Sequence, residues 1–171
     1  MICFRCGATN FLYNVVSKSV AGEKCSSCGH PFTRCHLSFD VLPLVAFRAD
    51  PRLSDDEAIK LIQETPPIST KNHFDDLINR SLENQIDEKS YEIMIADSET
   101  LNSLNRTEVF VCRNVLSTER VTFYRNMIPD IAIAMSPACN LFFHEGDFEM
   151  NFLQYNVCPF TKQIIEDYGH I

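Results

Sequence analysis

Hydrophobic and polar positions follow a helical period in one part of the chain. Ser54-Asp-Asp-Glu57 is typical of a helix start, because Ser54 can cap the backbone and Glu57 can bond back to it. The acidic residues also suit the positive end of the helix dipole. Apolar residues at helical spacing follow, and Pro66-Pro67 ends the pattern. The sequence therefore predicts a helix that packs an apolar stripe against a core.

The middle of the chain is predicted to mix helices and strands. A weaker apolar period within the polar stretch 68–89 allows a second helix, beside a mobile connection. The apolar segment 39–47 is predicted to be buried, and Asp97-Ser98 to cap a short helix. Runs of strand-forming residues predict strands at 91–96, 109–113 and 131–135.

Four cysteines near the start of the chain form two close pairs. Two residues separate Cys3 from Cys6 and Cys25 from Cys28, so each pair can hold one ion from a tight turn. Gly follows the second Cys of each pair, where a positive φ is needed. The eighteen residues between the pairs suit a short hairpin, with strand formers around 11–20. This spacing predicts a four-cysteine zinc ribbon, and the alternatives are a disulfide pair or chance clustering.

The chemistry of this quartet predicts a structural ion. Four thiolates complete the tetrahedron around zinc, which leaves no position for water or a substrate. A ribbon of about 35 residues buries too little surface to fold alone, and structural zinc supplies roughly 10–16 kcal/mol. We therefore expect one zinc ion at Cys3, Cys6, Cys25 and Cys28.

Composition and charge exclude several classes of partner. With a net charge of −8 and a pI near 5.0, the chain has no basic cluster for a nucleic-acid backbone. It has no apolar run near the roughly 18 residues of a membrane span and no signal peptide, so we expect an aqueous, reducing compartment. Cys35 and Cys112 lack close partners in sequence and are predicted to be buried small apolar residues.

A second pair of cysteines repeats the interval of the first site. Eighteen residues separate Cys139 from Cys158, as they separate Cys6 from Cys25, but Ser136 and Thr161 stand at the outer positions. Hydroxyls lack the soft charge that zinc requires. A second zinc is possible at Cys139, Cys158, His144 and a fourth ligand such as Asp147. The alternative is a metal-free module held by its aromatic residues.

Several segments, in the same order, resemble the C-terminal region of the intraflagellar transport protein 122 family. The similarity covers nearly the whole chain except about 66–108, and it is carried by 25–32, 39–45, 53–62, 123–135, 142–149 and 158–160. Family members carry two CPxC pairs in the second module, whereas this chain has Ser136 and Thr161 there. The family also begins with β-propellers and a helical solenoid, so the resemblance implies that this chain is a fragment of a longer subunit.

The resemblance implies a scaffold role and no enzymatic activity. Family members are core subunits of the intraflagellar transport A complex, which supports retrograde transport and entry of cargo into the cilium or flagellum. It therefore implies other subunits of that complex as partners, with the protein in the cilium or flagellum, at its base and in the cytoplasm. The acidic balance, the lack of an apolar run and the closed metal site lead us to expect no nucleic acid, no direct membrane insertion and no small-molecule substrate. The alternatives are a RING-like ubiquitin ligase module and a nucleic-acid-binding zinc ribbon.

The predicted fold class is α+β. It comprises an N-terminal four-cysteine zinc ribbon, a small mixed α/β region, and a second, degenerate zinc-ribbon or RING-like module. The predicted domains are 1–38 for the ribbon, 39–67 for the apolar segment and capped helix, 68–89 for a variable connection, and 90–171 for the mixed region with the degenerate module.

Overall fold

The structure is a computed structural model, and it describes residues 1–11, 23–64, 73–85, 91–113 and 120–165. The chain divides into two compact units. The first combines Met1–Phe32 with Leu44–Met127, and the second combines Thr33–Pro43 with Ile128–Ile171. Within the described ranges, no helix is long and apolar enough to cross a membrane.

A four-stranded sheet with three helices forms most of the first unit. In chain order the elements are β1 (Leu44–Ala49), α1 (Asp55–Gln63), α2 (His73–Glu83), β2 (Met94–Ala96), α3 (Ser98–Asn102), a 3-10 turn (Arg106–Glu108), β3 (Val109–Cys112) and β4 (Thr122–Asn126). The strand order is β2-β1-β4-β3. β1 runs parallel to β2 and antiparallel to β4, which in turn pairs antiparallel with β3.

Three phenylalanines hold this sheet to its helices. Phe47 of β1 stacks on Phe123 of β4 with ring centroids 5.4 Å apart, and it meets Phe74 of α2 edge-on at 5.2 Å. All three side chains have no exposed surface. Burial of an aromatic ring dominates the energy of a small core, so this cluster fixes α2 against the sheet.

Helix α1 confirms the predicted start. The Ser54 hydroxyl accepts the Glu57 N–H at 3.2 Å, and the Glu57 carboxylate accepts the Ser54 N–H at 2.9 Å. Both halves of a capping box are therefore present. Helix α3 likewise begins after Asp97, whose carboxylate accepts the Thr100 N–H at 2.8 Å.

A two-stranded hairpin and one helix form the core of the second unit. β5 (Ile133–Met135) pairs antiparallel with β6 (Phe142–His144), and α4 (Glu145–Tyr155) follows at once. One hydrophobic cluster of this unit comprises Ala134, Phe143, Phe148, Cys158 and Ile165, and further residues, among them Cys35, Leu42 and Phe142, are also buried.

The structure confirms the mixed α and β character and the second helix at 73–83. Strands β4 and β6 were not predicted, and two further features differ from the sequence analysis. Phe39 was expected to be buried with the segment 39–47, but it lies in a tight turn and is 70% exposed. Helix α4 was not predicted, because exposed apolar residues such as Leu153 obscure its helical stripe. Most of the hairpin expected around 11–20 and the stop at Pro66-Pro67 lie outside the described residues. The domain boundaries at 38, 67 and 89 stay predictions.

Candidate metal centre

Two tight turns of the same design present the first four cysteines. In the first turn the Cys3 N–H bonds to the Ala8 carbonyl at 3.0 Å, and the Gly7 N–H bonds back to the Cys3 carbonyl at 2.8 Å. The φ of Gly7 is 75°, which favours a residue without Cβ. The second turn repeats these bonds one by one, from Cys25 to His30 and from Gly29 to Cys25, with φ 68° at Gly29.

The four sulfurs of these turns converge on one point. The Sγ atoms of Cys3 and Cys28 are 3.7 Å apart, as are those of Cys6 and Cys25, and all four lie within 4.8 Å of one another. A tetrahedron with zinc about 2.3 Å from each sulfur has edges of about 3.8 Å. The predicted quartet therefore has both the donors and the spacing that zinc requires. Such a closed site would act as a structural staple.

Backbone N–H groups point at these sulfurs. Cys25 Sγ accepts the Ser27 N–H at 3.4 Å, and Cys28 Sγ accepts the backbone N–H of His30. Hydrogen bonds of this kind stabilise thiolate charge and orient the ligands. They follow from the turn itself, since residues two positions after each Cys curl back over its sulfur.

Asn10 ties the two turns together. Its side-chain oxygen accepts the Ser26 N–H at 2.7 Å, and its amide donates to the Ala8 carbonyl at 2.9 Å and to Cys25 Sγ at 3.5 Å. The residue is only 5% exposed. The sequence gives no signal for this role, because it depends on the second turn lying beside the first.

Arg5 connects the metal site to helix α2. Its guanidinium donates to the Ser81 hydroxyl at 2.5 Å, the Cys28 carbonyl at 3.2 Å and the Gln85 side-chain oxygen at 3.3 Å. It also lies over the Tyr91 ring, 5.3 Å from the centroid. Arg5 is 4% exposed, so this cation is buried beside four thiols. A zinc ion with four thiolates carries two net negative charges, which a buried cation partly balances.

Protons and a metal ion compete for the thiols of the quartet. The hydrogen bond between Cys3 and Cys28, with burial, raises the pKa of Cys3, and the same bond lowers the pKa of Cys28 to about 5. Burial raises the pKa of Cys6. Cys3 and Cys6 therefore retain their protons without a metal, and zinc would release them on binding. Burial lowers the pKa of the neighbouring His30 to about 4, and its Nε2 accepts the Ala46 N–H at 3.4 Å, so His30 is occupied elsewhere.

The second unit contains the same turn three times. Each turn bonds the N–H of its first residue to the carbonyl five positions on: Cys35 to Asp40 at 2.8 Å, Ser136 to Leu141 at 2.9 Å, and Cys158 to Gln163 at 2.8 Å. The residue four positions after the first has a positive φ in every case: 63° at Phe39, 55° at Asn140 and 60° at Lys162. Sequence reasoning anticipated the two turns at Cys139 and Cys158 and missed the one at Cys35. The only signal in the sequence for the turn at Cys35 was Ser38, which stands three positions later, where a cysteine pair would have its second cysteine.

The turn at Cys35 surrounds a single thiol with donors. Although burial raises the pKa of Cys35, the hydroxyl and N–H of Ser38 and the N–H groups of Leu37 and His144 lower it, and the net shift is downward. Cys35 is fully buried, whereas Cys112 is partly exposed. Burial raises the pKa of Cys112 to about 12.

The other two turns bring Cys139 and Cys158 together. Their Sγ atoms are 3.7 Å apart, and the Ser136 hydroxyl donates to Cys158 Sγ at 3.2 Å. Burial acts to raise the pKa of Cys158, but the hydroxyls of Ser136 and Thr161 and nearby N–H groups lower it to about 7. The arrangement is that of a four-ligand site in which two ligands are hydroxyls.

His144 lies apart from these thiols. Its Nε2 is 3.6 Å from an Asp40 carboxylate oxygen. In the parts of the chain that the structure describes, only Cys3, Cys6, Cys25 and Cys28 form a group of three or more metal-binding side chains. Two of the three residues predicted for a second metal are thus in contact, and the second site stays a prediction.

Comparison with known proteins gives two kinds of match. The family described as IFT122, C-terminal zinc ribbon domain, matches residues 131–168. An intraflagellar transport protein 122 homolog of Danio rerio is 30% identical over 190 residues, which cover 97% of this chain. The Homo sapiens homolog is 27% identical over 98% of this chain. The chain matches the C-terminal region of the intraflagellar transport protein 122 family. It spans about 15% of the length of these curated relatives.

The family match changes the interpretation of the two modules. The zinc ribbon that names the domain of the intraflagellar transport protein 122 family corresponds to 131–168, which the sequence analysis treated as degenerate. The complete quartet lies outside this match, at Cys3–Cys28. Within the match, Ser136 and Thr161 stand at the spacing that Cys3 and Cys28 have in the complete quartet, and neutral hydroxyls are poor zinc donors. The residues present therefore fit zinc at the first site and do not fit it at the second.

Proposed function

We propose that this chain is a non-enzymatic interaction module of an intraflagellar transport A subunit, and that it supports assembly of the complex, retrograde transport and cargo entry into the cilium or flagellum. The observation that carries the proposal is the match to intraflagellar transport protein 122 homologs over 97% of the chain. The partners would be other subunits of the complex.

The geometry of the first unit supports a role in binding rather than chemistry. A closed four-thiolate site has no open position for a substrate, and it fixes two turns against each other. Arg5 extends this rigidity to α2 through Ser81. A surface fixed before binding loses less conformational entropy on association, so zinc would strengthen the contact without touching the partner.

Exposed apolar residues on α4 provide a candidate contact surface. Met150 and Leu153 stand three positions apart on this helix, so they share one face, and they are 60% and 80% exposed. Exposed apolar side chains that adjoin one another often mark a binding site. In this proposal, a subunit of the same complex covers them.

Two point variants of the full-length subunit, expressed in the ciliated or flagellated source cell, test the proposal. Cys25→Ser removes a zinc ligand and should release the subunit's partners by unfolding the first unit. Leu153→Glu charges the surface of α4 and should weaken co-purification while the protein stays folded. Cys112→Ser is the matched control, because it makes the same chemical change outside the quartet and should leave the complex intact.

The measurement is the amount of each other subunit that co-purifies with the tagged protein, at equal expression. If the complex purifies intact with both Cys25→Ser and Leu153→Glu, although the first variant has lost its zinc, the proposed interaction role is wrong.

The two alternatives have less support. A RING interleaves its ligand pairs around two ions, whereas here the two consecutive pairs, Cys3/Cys6 and Cys25/Cys28, share one site. A nucleic-acid-binding ribbon would need a basic face, and the chain has a net charge of −8.

A further inference from the structure

Cys139 and Cys158 are the two thiols left at a site that cannot complete a zinc tetrahedron. Their sulfurs are 3.7 Å apart, the separation found between Cys6 and Cys25 in the complete quartet. The other two positions hold the hydroxyls of Ser136 and Thr161. In the region that the structure describes, no His, Asp or Glu joins the pair to make a group of three donors.

The contacts around the pair explain how the two turns can keep their structure without a metal. Ser136 is fully buried and donates its hydroxyl proton to Cys158 Sγ at 3.2 Å, so a hydrogen bond replaces one metal–ligand bond. Cys158 packs with Phe143, Phe148 and Ile165 in the hydrophobic cluster of the second unit. Burial of apolar surface in this cluster holds the turn that begins at Cys158 in place.

Two thiols held in contact without a metal form a disulfide more readily than free cysteines. A disulfide bond is about 2.05 Å long, so the sulfurs would have to approach by about 1.7 Å. Cys139 is partly exposed and can meet an oxidant, whereas Cys158 is buried, and the two sulfurs are 3.7 Å apart. Whichever thiol is oxidised first, the other therefore lies beside it and can resolve the product.

We propose that the ribbon at 131–168 holds no zinc in this chain and that Cys139 and Cys158 form a reversible disulfide in response to peroxide. The thiolate of one cysteine of the pair attacks one peroxide oxygen, the O–O bond breaks, and the departing hydroxide takes up the proton that this thiol released, to leave as water. The sulfur of the other cysteine then attacks the sulfenic sulfur, the S–S bond forms and the S–O bond breaks. The second hydroxide takes the proton of the second thiol, so two thiols and one peroxide give one disulfide and two waters.

The change would act on the fold locally. The disulfide would join the turn before β6 to the turn after α4, which now touch through the sulfur pair and the Ser136 hydrogen bond. Thiol exchange with a dithiol or glutathione would restore the reduced pair. This inference is independent of the proposed function, since it concerns the thiols alone.

The test uses the purified full chain loaded with zinc. Zinc per chain is measured by elemental analysis, and the chain is then treated with hydrogen peroxide beside a reference peptide that carries two cysteines. Disulfides are mapped by mass spectrometry of peptides under non-reducing conditions. We expect one zinc per chain, a loss of two hydrogen atoms in mass, a Cys139–Cys158 cross-linked peptide, and reversal by dithiothreitol.

Two variants separate this pair from the other thiols. Cys139→Ser should abolish the cross-link and leave the zinc content unchanged, whereas Cys112→Ser should leave both as in the original chain. Two results would overturn the proposal. One is a second zinc that Cys139→Ser removes. The other is oxidation of the reference peptide while Cys139 and Cys158 stay reduced or pair with other cysteines.

Discussion

Replacing Cys6 by Ser and replacing Cys139 by Ser make one chemical change at equivalent positions of the two sulfur clusters. Each residue is the fourth of its tight turn, and each Sγ lies 3.7 Å from a Cys of the next turn. Structural zinc supplies roughly 10–16 kcal/mol, and a variant that no longer binds the ion loses that whole contribution. The loss is as large as the roughly 5–15 kcal/mol by which a domain is stable.

The same replacement at Cys139 should cost much less. The residue is only partly buried, and in a metal-free cluster it loses one sulfur contact and some packing. A substitution of this kind costs about 1 kcal/mol or less. We therefore expect Cys6→Ser to lose zinc and unfold the first unit, and Cys139→Ser to keep its zinc and a nearly unchanged urea midpoint.

The assay is urea unfolding followed by circular dichroism, because the chain has no Trp to report by fluorescence. Elemental analysis of each purified protein gives zinc per chain, and Cys112→Ser controls for the loss of any single thiol. The reasoning is refuted if Cys6→Ser keeps its zinc and its stability. It is equally refuted if Cys139→Ser loses a metal ion and is destabilised as much as Cys6→Ser.

Three further changes test the contacts around these sites by the same urea assay. Arg5→Met should cost roughly 2–4 kcal/mol, because it removes three hydrogen bonds from a buried cation, and an unchanged midpoint would contradict this. Asp97→Ala should cost about 1 kcal/mol at neutral pH by removing the cap on Thr100. Since the hydrogen bond from the Thr100 N–H lowers the pKa of Asp97, the cap stabilises the fold above the usual carboxyl pKa, and this stabilisation is lost as the pH falls through the lowered value. If Asp97→Ala cost the same stability at neutral and at strongly acid pH, the capping role would be contradicted. Lys162→Gly should stabilise the second unit by roughly 0.5–1 kcal/mol, because Lys162 has φ 60°, which favours glycine. The control Asn140→Gly should be nearly neutral, because Asn tolerates this conformation. Destabilisation by Lys162→Gly would refute the argument.

Local signals in the sequence predicted the elements that depend on near neighbours. The capping box at Ser54 and the cap at Asp97 each involve residues three apart, so their pattern is complete in the sequence. The strand order β2-β1-β4-β3 is different, because it pairs β1 with a strand that begins nearly eighty residues later. Because the paired residues are so far apart in sequence, no local pattern of residues predicts this pairing.

At the metal centre, too, the sequence predicted the features set by near neighbours and missed those set by distant contacts. The spacing of Cys3, Cys6, Cys25 and Cys28 predicted a quartet that the structure brings within 4.8 Å. Arg5 could not be identified as its buried counter-charge, since Ser81 and Tyr91 lie more than seventy residues away in sequence. Polar networks of this kind become visible only once the tertiary contacts are known.

The turn that carries the cysteines is separable from the metal that it can bind. Five turns in the described residues share one hydrogen-bond pattern, yet only the two that contribute the Cys3–Cys28 quartet combine two thiols with a following Gly. In the second unit Phe39, Asn140 and Lys162 take the positive φ, which costs roughly 1–2 kcal/mol each at Phe39 and Lys162 and less at Asn140. Without four thiolates to offset that cost, the burial of Phe143, Phe148 and Ile165 must supply the difference. The second unit therefore repeats the turns of the first, and in the proposed metal-free state packing and a thiol pair would stabilise them instead of an ion.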